Sequence, residues 1–85
     1  MKVHELKCEE PHLRDIADGR KRVEMRFDDR GYEVGDILEL QSLADSEFRV
    51  RVEVLHVLYG GQYGAYGIAP RYVCMSIRLT EWGNE

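Results

Sequence analysis

In several stretches of this 85-residue chain apolar and polar residues alternate with period two, the spacing of strands that bury one face. "VHELKC", residues 3–8, predicts a first short strand. In "RVEMRF" the alternation sends Val23, Met25 and Phe27 to one side, with Val23 and Met25 expected to be core, and Arg22, Glu24 and Arg26 to the other. "DILEL" places Leu38 and Leu40 on one face, Ile37 and Glu39 on the other. "FRVRVEVLHVLYGG" predicts a long strand with Phe48, Val50, Val52 and Val54 inward and Arg49, Arg51 and Glu53 toward water. Its end, Val54 to Tyr59, is apolar on both faces except at His56, which predicts cover on both sides. "RYVCMSIRL" is a last strand with Val73, Met75, Ile77 and Leu79 on one side. The tail "TEWGNE" is polar, and Trp82 is free to fold back onto an edge.

One stretch breaks the period. In "EEPHLRDIADG", Leu13, Ile16 and Ala17 fall at i, i+3 and i+4, one apolar stripe of a helix. Pro11 suits its first turn, Glu9 and Glu10 its positive N-terminal end, and Gly19 the position just past its end. The helix reads as a lid on a sheet or barrel. The expected fold is α+β, mainly β: a single domain over 1–85, a small, partly closed β-barrel of about five strands with one helix inserted after the first.

Composition narrows the setting. Hydrophobic residues are 44% and charged residues 33%, which is globular rather than disordered. No apolar run approaches the length of a membrane span, and "MKVHELKCEE" lacks the apolar core of a signal peptide. The expectation is a cytoplasmic protein. Cys8 and Cys74 have no CxxC spacing and read as buried or half-buried thiols. No His or Cys pair has ligand spacing, so neither metal nor other cofactor is expected.

Charge is uneven. The chain carries −4, yet "GRKRVEMR", residues 19–26, sets Arg20, Lys21, Arg22 and Arg26 against Glu24 alone. An acidic body speaks against coating nucleic acid indiscriminately. Any such role would rest on this local strip.

The strip also carries a resemblance. Gly19, Lys21, Glu24 and Arg26 fit the pattern G-x-K-x-x-E-x-R, which resembles that of ASCH (activating signal cointegrator homology) domains, a branch of the PUA-like β-barrels. Val34, Gly35, Asp36 and Leu38 are similar to the V-G-D-x-L segment that follows the motif there. "HELK" and "YVCMSI" are similar to a small bacterial and phage ASCH-like subfamily. The resemblance implies a barrel with a cleft walled by the motif, and RNA or a nucleotide-like ligand as partner. Some relatives resemble amidohydrolases acting on acylated cytidines, and ribonuclease activity has been proposed for others. The amidohydrolase-like relatives carry Thr where this chain has Glu24, so their expected hydroxyl nucleophile is missing. The Gly-rich stretch "GGQYGAYGIAPR" departs from the family pattern.

Each residue has more than one reading. Lys21 could contact phosphate or carbonyl oxygens, or be a solvated turn residue. Glu24 and Arg26, two apart on one strand face, could brace each other or together read a base edge. Arg20 and Arg22 read as a basic rim, with Arg22 a candidate ligand contact, and Arg30 could reach the cleft from the following loop. His4 is a candidate contact through "HELK" or a satisfied core residue. Tyr63 and Tyr66 could stack on bases or pin their loop. Three functions follow: an RNA- or nucleotide-binding module; a small hydrolase in which Lys21 and Glu24 run acid–base chemistry; or a protein-interaction domain using the apolar end of the long strand.

Overall fold

The computed structural model describes residues 1–61 and 67–84. Its elements run β1 (Val3–Cys8), α1 (Glu10–Ala17), β2 (Val23–Phe27), β3 (Ile37–Ser42), β4 (Phe48–Tyr59) and β5 (Tyr72–Asn84). The strands form one mixed sheet in the order β1-β3-β4-β5-β2, curled into a half-barrel. β1 runs parallel to β3, and the other neighbours are antiparallel. No helix among the described residues is long and apolar enough to cross a membrane.

The concave face is the core. Leu6, Leu38, Leu40, Phe48, Val50, Val52, Val54, Val73, Met75 and Ile77 line it, following the period-two pattern on four strands. Leu13 and Ile16 of α1 pack against this cluster, with the Arg14 guanidinium 4.9 Å from the centre of the Phe48 ring. The helix is therefore the expected lid. Cys8 is buried and Cys74 half-buried, both as free thiols.

Three expectations need correction. On β2 the faces are reversed: Val23, Met25 and Phe27 are 45%, 55% and 45% exposed, while Glu24 is 5% exposed. In the register with β5, Glu24 stands opposite Met75 and Arg26 opposite Val73, both core residues. Alternation fixes that the two sets oppose each other, not which set turns inward. β2 is an edge strand, and its inner face meets an open cleft where charged partners replace apolar neighbours.

The end of β4 is likewise not covered on both sides. A bulge between Val54 and His56 shifts the register against β5. It turns Val57 into the core and leaves Leu55 exposed. The tail, finally, is strand: β5 continues to Asn84, and the Trp82 backbone pairs with Val50.

A second buried polar centre joins β1 to β3. Asp36 accepts hydrogen bonds from the Lys2 N–H (3.0 Å), the Glu33 N–H (3.0 Å) and His4 Nε2 (2.9 Å). His4 stacks edge-on against Tyr32 at 4.8 Å, and the Tyr59 hydroxyl donates to the Tyr32 carbonyl at 2.9 Å. Burial would raise the Asp36 carboxyl pKa, but the bonds from His4 and the two backbone N–H groups outweigh it and hold it below the ordinary value.

Candidate functional site

The sheet order leaves β1 and β2 as its two edges, and a cleft of about 1020 Å³ opens between them. Residues 5–9 form one wall and residues 20–27 the other, with Asp29, Arg30 and Tyr32 at one end. The cleft is the seam along which the half-barrel fails to close.

The basic strip is launched into this seam by the end of α1. Gly19 adopts φ +78°, its N–H donates to the Ile16 carbonyl (3.0 Å), and the Arg20 N–H donates to the Asp15 carbonyl (2.8 Å). That is a Schellman motif, which needs a residue free to take positive φ. The Lys21 N–H also reaches the Asp15 carbonyl at 3.0 Å. The chain thus turns off the helix and enters β2 with Lys21 beside the cleft.

Glu24 is the centre of the site. Its Oε1 accepts from Lys21 Nζ at 2.5 Å and its Oε2 from Arg26 Nε at 2.7 Å. Arg26 Nη2 also donates to the Lys7 carbonyl on β1 at 2.8 Å, so one side chain ties the two sheet edges together. An ammonium has three donors and a guanidinium five, and these bonds use only some of them. Lys21 and Arg26 therefore keep donors to offer. At the same cleft, burial raises the Cys8 thiol pKa, with the Glu24 charge adding to it and Arg26 and Lys21 opposing. Cys8 is a neutral packing group there, not a thiolate nucleophile.

The cleft lining holds six Lys and Arg side chains against four carboxylates, in a chain whose net charge is −4. Positive charge is concentrated where the sheet is open.

Residues 3–77 match the family described as Domain of unknown function (DUF3850). The chain belongs to this family. Among solved structures, the crystal structure of hypothetical protein PH0355 is similar to this DUF3850 domain, with a TM-score of 0.66 and 17% identity over 94% of this chain and 100% of that one. At that identity the likeness carries the fold alone. No curated protein matches the chain.

The DUF3850 domain brings together Lys21, Glu24 and Arg26, with Arg20, Arg22 and Arg30 along the same cleft. Arg22 Nε donates to the Gly19 carbonyl at 3.2 Å, and Arg30 lies 3.8 Å from Asp29. His4 is not part of the lining; it is buried against Asp36. Tyr63 and Tyr66 lie outside the described residues. Among the described residues, no group of three or more His, Cys, Asp and Glu could hold a metal ion. Ser76 has His56 as its cross-strand partner, but both are exposed and neither lines the cleft.

Lys7, Glu9, His12, Phe27 and Tyr72 also line the cleft, and sequence reasoning did not single them out for the site. Lys7 sits inside "HELK", so its motif was visible. Its role was not, because nothing local says that β1 is the edge facing β2.

Proposed function

We propose that this cleft binds RNA or a nucleotide-sized piece of it. The observation that carries the reading is the charge arrangement: a cationic seam on an acidic body, organised around a buried carboxylate clasped by Lys21 and Arg26. Donors left on those two side chains suit phosphate or carbonyl oxygens, and Arg20, Arg22 and Arg30 extend the positive rim. The match of Gly19, Lys21, Glu24 and Arg26 to the pattern of ASCH domains in the PUA-like superfamily supports the same reading. Binding of this kind is modest and falls with salt. Titration of the protein with single-stranded RNA at low and high salt tests it. Saturable, salt-sensitive binding that weakens in Lys21→Ala is expected. No binding at low salt would sink the proposal.

One contact favours hydrolysis as a second reading. The 2.5 Å approach of Lys21 to Glu24 pairs a proton donor with a carboxylate inside the cleft. Incubation with RNA and with acylated nucleosides tests this, Glu24→Gln serving as control. Turnover that disappears in the variant would promote chemistry over binding alone.

A further inference from the structure

We infer that Phe27 and Tyr72 form a stacking platform for one base of a single-stranded nucleic acid whose phosphates lie in the cleft. The inference rests on the cleft being the nucleic-acid site proposed above, and it adds what reads the base.

The two rings are cross-strand partners at the β2–β5 boundary, with centroids 5.6 Å apart and planes at 81°. Phe27 is 45% exposed and Tyr72 41%. Two half-exposed aromatics side by side are not the rule on the outside of this sheet. Farther along, the same face carries cross-strand ion pairs, Arg51 with Glu39 and Arg78 with Glu53. The aromatic pair ends the exposed apolar row of Val23 and Met25 on β2, and it occurs where the outer face runs into the cleft. Both rings belong to the cleft lining, at the end that also holds Asp29 and Arg30.

The platform is held by backbone. Phe27 and Tyr72 sit in paired strands, and the Asp28 N–H donates to the Arg71 carbonyl at 2.7 Å. Asp28 Oδ1 then accepts from the Gly31 and Tyr32 N–H groups at 2.9 and 3.2 Å, shaping the turn that carries Arg30. Ordering these rings on binding costs little, because their strands already order them. The edge contact between the two rings adds to that order. A flat apolar surface beside a cationic groove complements a ligand that is both aromatic and anionic, and a nucleotide chain is both. With planes at 81°, the two rings cannot both lie parallel to one base. The pair therefore offers a single stack, with the phosphates running toward Arg30 and Arg26.

The test compares a fluorescent single-stranded oligonucleotide with an abasic oligomer of the same length and charge, titrated by anisotropy at low salt. Wild type is expected to favour the base-bearing strand by roughly 5- to 100-fold. Phe27→Leu and Tyr72→Leu should lower its affinity toward that of the abasic strand, while Phe27→Tyr and Tyr72→Phe keep the preference. Urea unfolding confirms that each variant folds. Lys21→Ala should weaken both strands alike. Equal wild-type affinity for the two strands would overturn the stacking platform and leave the cleft as a phosphate site. A preference that survives both leucine variants also overturns it. Failure of wild type to bind either strand overturns the cleft reading itself.

Discussion

Asp36 and Glu24 are both buried carboxylates, 1% and 5% exposed, held by different kinds of partner. Asp36 is gripped by two backbone N–H groups and by His4, which is itself buried. These donors cannot leave without moving β1 or the turn before β3. Glu24 is gripped by Lys21 and Arg26, whose side chains are 27% and 21% exposed at the mouth of a cleft. Long cationic side chains can share their protons with an incoming anion. The difference separates an anchor from an exchangeable site: what matters is whether the partners of a buried charge are free to serve something else.

The strongest test of the contrast is removal of the anchor. Asp36→Ala strands the Lys2 and Glu33 N–H groups and the His4 ring, and it should cost about 3 kcal/mol or more. That is a large share of the stability of so small a domain. Urea unfolding measures it, and a loss below about 1 kcal/mol would show that Asp36 is not an anchor.

Acid provides a second and smaller test. The native Asp36 pKa lies below the ordinary 3.8, so the folded state holds that proton less tightly than the unfolded chain. Its contribution is fully present above the unfolded value and fades as pH falls through the lowered native one. Wild-type unfolding midpoints should drop on acidification below about pH 4. In Asp36→Asn the drop should be shallower. Equal slopes in the two proteins would remove Asp36 from the account.

The smallest stability effect belongs to Glu24. Glu24→Gln leaves Lys21 and Arg26 able to turn to water and should cost about 1 kcal/mol or less. Freed of the carboxylate, the two cations should bind an abasic oligonucleotide more tightly than wild type does, with a steeper salt dependence. Weaker binding in a folded variant would instead make Glu24 itself a ligand contact.

The two centres were not equally legible in the sequence. "HELK" and "VGD" stood out as separate marks, yet in the fold they are one object, His4 bonded to Asp36 across the parallel β1–β3 pair. Joining them needs the topology, which no local pattern contains. Strands β3, β4 and β5 each showed one apolar face in the sequence, and each has a neighbour on both sides. β2 is an edge. Its apolar set, Val23, Met25 and Phe27, resembles a core stripe by composition. What reverses it is the unclosed seam, where Glu24 finds two cations in place of packing. The bulge in β4 was hidden for a related reason, since a continuous apolar run from Val54 to Tyr59 carries no sign of where the register slips.

The sheet order also has a consequence in time. Both walls of the cleft come from residues 5–9 and 20–27, near the start of the chain. Their sheet partners come much later: Val3 pairs with Ile37, and Val23 with Ser76. β3, β4 and β5 instead pair with their successive neighbours. Distant pairings carry the larger loop-closure cost and tend to form after local ones. The segments that precede β3 in the chain are then the last to find their place, and the cleft exists only once the meander of β3, β4 and β5 is there to receive both of its walls. Pulse-labelled hydrogen exchange should show β4 amides protected before those of β2; the reverse order would mean that the walls assemble on their own.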